Sequence, residues 1–115
     1  MKISEEKEKY LKYYFENIHF MGELMMSAVS MMSEFKGQGA EYVSCSYDST
    51  DDDYMEGFVT LFFWKPAVDE DTIVFVKNED FFQYLLKVCK AHILKCPEDE
   101  GKLINYISKI KNDLS

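Results

Sequence analysis

The chain has no arginine: all 13 of its cationic side chains are lysine. Without the planar guanidinium fork that grips a phosphate at two points, direct nucleic-acid binding is not expected. No apolar run approaches the roughly 20 residues that a bilayer span needs, so no membrane contact is expected. The opening Met1-Lys2-Ile3-Ser4-Glu5-Glu6 turns acidic where a signal peptide turns apolar. A cytoplasmic protein is the expectation. Cysteine is scarce as well: Cys45, Cys89 and Cys96 are odd in number and lack a short-spaced framework, which suits reduced thiols. G-x-S-x-G and H-E-x-x-H are absent, and Gly37-Gln38-Gly39 follows a helical pattern and precedes a strand, the reverse of a phosphate-binding context.

What the sequence does have is apolar material and unevenly placed acid. Nearly half of the 115 residues are hydrophobic, including 8 Tyr and 9 Phe, enough for one domain over 1–115 with a single core. The net charge of -8 is concentrated in residues 41–80, where eleven carboxylates face two lysines for a local charge of -9. A basic protein partner is the first inference from that asymmetry.

The hydrophobic period divides the chain. Tyr10, Leu11, Tyr14, Phe15 and Ile18 are spaced for a helix over 5–18, with Ser4 as its cap. Met21, Leu24, Met25, Ala28, Met31, Met32 and Phe35 predict a second helix, stopped by Gly37, with Gly22 as a bend or kink between the two. Met26 and Val29 lie off its stripe. Residues 42–47 alternate as a strand does, Phe58–Trp64 is dense in residues that favour a central strand, and 72–76 gives a third. Asn78 is placed to cap a third helix whose stripe is Phe81, Phe82, Leu85, Val88, Cys89, His92, Ile93 and Cys96. Pro97 ends it and starts a fourth, buried through Leu103, Ile107, Ile110 and Leu114. The expected fold is α+β: two N-terminal helices, a three-stranded antiparallel meander, and two C-terminal helices packed on the sheet.

Three constellations invite chemistry. The loop from Asp48 through Asp51, Asp52, Asp53, Tyr54 and Glu56 carries oxygen ligands, but it has Asp53 and Val59 where an EF-hand needs Gly and Glu, so it reads as a protein-binding edge or a solvated turn. Cys89, His92 and Cys96 share a helical face, with Cys45 as an imaginable fourth zinc ligand. The same positions continue a core stripe and no C-x-x-C supports them, so neither metal nor cofactor is expected. His19 and His92 have no visible catalytic partner, and a run of Asp lacks the cleft that acid–base work needs; no catalytic residue and no enzyme activity are expected.

The partner-binding residues are therefore sought in the acidic turns and the aromatics beside them: Asp48, Asp51, Asp52, Asp53, Tyr54, Glu56, Trp64, Asp69, Glu70 and Asp71. Phe58 is either a further anchor or core. Tyr14-Phe15-Glu16-Asn17-Ile18-His19-Phe20, Tyr42-Val43-Ser44-Cys45, Asp53-Tyr54-Met55-Glu56-Gly57-Phe58, Phe82-Gln83-Tyr84-Leu85, Cys89 and Pro97-Glu98-Asp99 follow one another in an order and spacing that resembles the CdiI-type immunity proteins of contact-dependent growth inhibition systems. Residues 65–71 fall outside that pattern. The resemblance implies a stoichiometric inhibitor that binds the nuclease domain of a cognate ribonuclease toxin in the cytosol and blocks it. The alternative is an acidic adaptor or nucleic-acid mimic that regulates a basic host protein.

Overall fold

The computed structural model describes residues 5–20, 23–34, 36–38, 42–66 and 68–114. Helix α1, Glu5–Glu16, is followed by a small hairpin of β1, His19–Phe20, and β2, Glu23–Leu24; then comes α2, Met26–Met32. Strands β3, Lys36–Gln38, β4, Val43–Ser46, β5, Phe58–Phe63, and β6, Thr72–Lys77, form one antiparallel sheet in sequence order. Helix α3, Asn78–Lys95, a 3-10 turn at Pro97–Asp99 and α4, Glu100–Leu114, complete the chain.

The α+β class and the antiparallel meander of β4, β5 and β6 match the sequence reading, with β5 central. Three details differ. The second helix is only seven residues long, because the backbone first closes the β1–β2 hairpin, with Met25 N–H donating to Ile18 O at 2.8 Å. Its buried residues are Ala28, Val29 and Met32, while Met31, predicted inside, is 41% exposed. Ser4, Met21, Gly22 and Phe35 lie outside the described residues. Gly37, read as a helix stop, sits in β3 opposite Cys45 and adds a fourth strand. Lys36-Gly37-Gln38 has no apolar alternation to announce a strand, yet its backbone pairs with β4.

The third difference concerns the last two helices. α1 and α3 pack on β5 and β6, whereas α4 packs chiefly on α2 and α3, so only one of the two C-terminal helices is laid on the sheet. Asn78 does not cap α3 but is its first residue. Its backbone N–H donates to Gly57 O at 3.0 Å and its side-chain amide to Leu114 O at 3.1 Å, joining the β4–β5 loop, α3 and the end of α4. Gly57 has φ +86°, a backbone region that favours glycine.

Alternation along the strands gives the sheet two unlike faces. Val43, Cys45, Val59, Leu61, Phe63, Val74 and Val76 point to the helices and are buried with Leu11, Tyr14, Phe15, Ile18, Phe81, Leu85, Cys89, Leu103 and Ile110. Tyr14 is buried completely and its hydroxyl accepts from Cys45 Sγ at 3.2 Å. Burial pushes the Cys89 thiol up to about 12. It also raises the Tyr14 hydroxyl well above the ordinary tyrosine range, with the nearby Cys45 adding to the effect.

Both groups titrate higher when folded than when unfolded. For Cys89 the stability tied to the neutral thiol is whole below the unfolded value of 9.0 and is lost as the pH rises toward 12, whereas that of Tyr14 begins to be lost only above its unfolded value of 10.0. Melting temperature is expected to fall across that window, and to fall less steeply in Cys89→Ala once each protein is referenced to its own value at pH 7. Equal slopes would remove this thiol from the alkaline transition.

Candidate functional site

The two acidic turns do not form one patch. The loop from Tyr47 to Gly57 joins β4 to the start of β5, and the loop from Trp64 to Asp71 leaves its end. Six residues of strand, about 20 Å, separate them. Asp48, Asp51, Asp52, Asp53, Tyr54 and Glu56 are thus at one end of the sheet, and Trp64, Asp69, Glu70 and Asp71 at the other.

What connects them is the face of the sheet on which, among the described residues, no helix packs. Residues Ser44, Phe62, Trp64, Ile73 and Phe75 fall on this side by strand alternation, with Phe62 opposite Ile73 in the register. Trp64 is 38% and Ile73 39% exposed; Phe62 and Phe75 are half-buried and do not pack on the core. The Phe62 and Trp64 rings lie 5.7 Å apart, tilted by 31°.

The first acidic loop folds back over this same face. Thr60 donates its hydroxyl to Asp53 O at 3.1 Å, and Ser46 donates to the Asp51 carboxylate, so both strand residues are buried beneath the loop. Asp48 turns the loop internally, accepting from Thr50 N–H at 2.9 Å and Thr50 hydroxyl at 2.7 Å. Asp51 and Asp48 are therefore spent in part on holding the loop. Asp52, Asp53, Tyr54 and Glu56 present their side chains to solvent. At the far end, Asp71 accepts from Lys65 N–H at 2.8 Å and Trp64 N–H donates to Tyr42 O at 2.9 Å, fixing the indole at the rim.

Sequence reasoning missed Phe62, Ile73 and Phe75 as surface residues. Phe58–Trp64 is apolar at almost every position, so the period that separates faces is silent there; only the register against Lys77 and Ser44 tells which side is open.

His92 is buried on α3, as its place in the core stripe predicts, and its Nε2 lies 2.8 Å from Asp99 Oδ2, a partner that the sequence does not show. Pro97 causes this, since it ends α3 and the following turn brings Asp99 back over the last helical turn. Cys96 lies in the same cluster, whereas Cys45 and Cys89 are elsewhere in the core. A nucleophilic cysteine requires a thiol held below its ordinary range. Here partial burial and then the carboxylates of Glu23, Glu98 and Asp99 push the Cys96 thiol up, opposite to what a cysteine–histidine enzyme uses.

Among the described residues no helix is long and apolar enough to cross a membrane. No curated protein and no solved structure matches the chain significantly. A family model described as CDI immunity protein matches residues 7–107, a span that takes in the whole sheet, both acidic loops and the open face between them, so the chain belongs to the CDI immunity proteins.

Proposed function

We propose that this protein binds the nuclease domain of a cognate ribonuclease toxin and neutralises it by laying the open face of its sheet over a basic active-site cleft. The observation that carries the reading is the helix-free apolar face of Phe62, Trp64 and Ile73 with carboxylates at both ends. A ribonuclease must attract phosphates, so its cleft is expected to be basic, and carboxylates spaced about 20 Å apart can flank such a cleft from both sides. The aromatics between them supply the buried anchors that charge alone does not. Inhibition needs no catalysis by this chain, only occupancy, and protection from a lethal enzyme calls for nanomolar binding or tighter, about -12 kcal/mol.

The direct test is to co-express the chain with the toxin domain encoded beside its gene, isolate the complex, and assay the toxin against RNA with and without this protein. Complex formation with loss of RNA cleavage is expected. A toxin that binds but keeps its activity, or capture only of a basic host protein, would overturn the proposal.

Charge should act mainly on the rate of encounter. Because Asp51 is held by Ser46, the informative variant reverses Asp52 and Asp53 alone. Asp52→Lys with Asp53→Lys is expected to slow association about tenfold at low salt, with dissociation and melting temperature little changed, and the difference should shrink as salt is added. Stopped-flow association at two ionic strengths reads this directly. A salt-independent effect would mean that these side chains do not steer.

A further inference from the structure

We propose that His92 Nε2, Cys96 Sγ and an Asp99 carboxylate oxygen form a binding site for a divalent transition metal of the Zn²⁺ class. The three ligand atoms lie within 4.8 Å of one another, on the last turn of α3 and the 3-10 turn that follows. Tetrahedral zinc with bonds of 2.0–2.3 Å holds neighbouring ligands about 3.3–3.8 Å apart, so closing the cluster on an ion needs shifts of about an ångström. Imidazole, thiolate and carboxylate together are a borderline-soft set, which suits zinc, cobalt or nickel and not calcium or magnesium.

The surroundings are asymmetric in a way that suits a metal. The His92 side chain is only 4% exposed and is held in place by α3, while Asp99 is 28% exposed and Cys96 is partly open, so an ion has access from the thiol and carboxylate side. Binding uses the neutral imidazole with its proton on Nδ1, leaving Nε2 free for the ion, and the thiol proton leaves to water. The bound ion ties the end of α3 to the turn that launches α4, and water takes the fourth position. Toxin binding plays no part in this site, so the two proposals stand or fall separately.

The test uses the full chain, reduced and stripped of metal with a chelator, titrated first with Co²⁺ and then with Zn²⁺. Expected are a thiolate-to-cobalt charge-transfer band that saturates at one equivalent, its bleaching by Zn²⁺, and a rise in melting temperature of roughly 5 °C or more at saturating metal. Cys96→Ser, a change near the surface, should abolish the charge-transfer band, and Asp99→Asn should weaken Co²⁺ binding at least tenfold. The proposal is overturned if no charge-transfer band forms at millimolar Co²⁺, or if the band persists in Cys96→Ser, which would place the thiolate at Cys45 or Cys89.

Discussion

Replacing Trp64 with alanine is expected to weaken binding to the cognate toxin by about thirty-fold or more, a loss near 2 kcal/mol. The fold should tolerate the change. Trp64 lies outside the buried core, its ring touches Phe62 on the helix-free face, and the hydrogen bond that fixes its position, from its N–H to Tyr42 O, is made by backbone and survives substitution. A tryptophan that is 38% exposed when free still has ring surface to lose against a partner. Tryptophan is also the side chain that most often dominates an interface. Titration calorimetry of wild type and Trp64→Ala against the toxin domain, with a thermal melt of each, separates the two effects. An unchanged affinity would move the interface away from this face, and Asp69, Glu70 and Asp71 would go with it.

Much of this arrangement was legible in the sequence, and the exceptions have physical reasons. The long patterns of α1, α3 and α4 are visible because each buries one stripe, and the meander is visible because β5 and β6 are dense in residues that favour a pleat. The β1–β2 hairpin was hidden because Met21 to Met25 also fits a helical period, and local propensity gave way to the backbone bond between Met25 and Ile18. β3 was hidden because its place depends on backbone partners, with no side-chain pattern to announce it. The acidic residues stand out by composition, and their division into two turns on either side of an aromatic strand is legible too, since Phe58–Trp64 separates them; which face of that strand lies open is not. Likewise Asp99 could not be assigned to His92 from spacing, because the turn after Pro97 and not a helical repeat brings them together.

The two neighbouring phenylalanines of β5 test the assignment of faces most severely. Phe63 is fully buried, with its ring 5.2 Å from Tyr10 and stacked 5.5 Å from Tyr13, so it fastens α1 to the sheet. Phe63→Ala removes those contacts and leaves a cavity, at an expected cost of about 3–5 kcal/mol. That is a large share of a domain's typical stability, and should lower the melting temperature by roughly 15 °C. Phe62, one residue earlier, faces the other way against Ile73 and Trp64. Phe62→Ala is expected to cost no more than about 1 kcal/mol of stability while weakening toxin binding about tenfold. Denaturant melts and binding measurements on both variants should therefore give opposite rankings, with Phe63→Ala unstable but competent to bind below its transition, and Phe62→Ala stable but a poor binder. Equal loss of stability in both would mean that the face bearing Phe62 is covered. Equal binding by both would mean that the toxin docks elsewhere, since adjacent residues of a strand separate core from surface only when one side of the sheet is free.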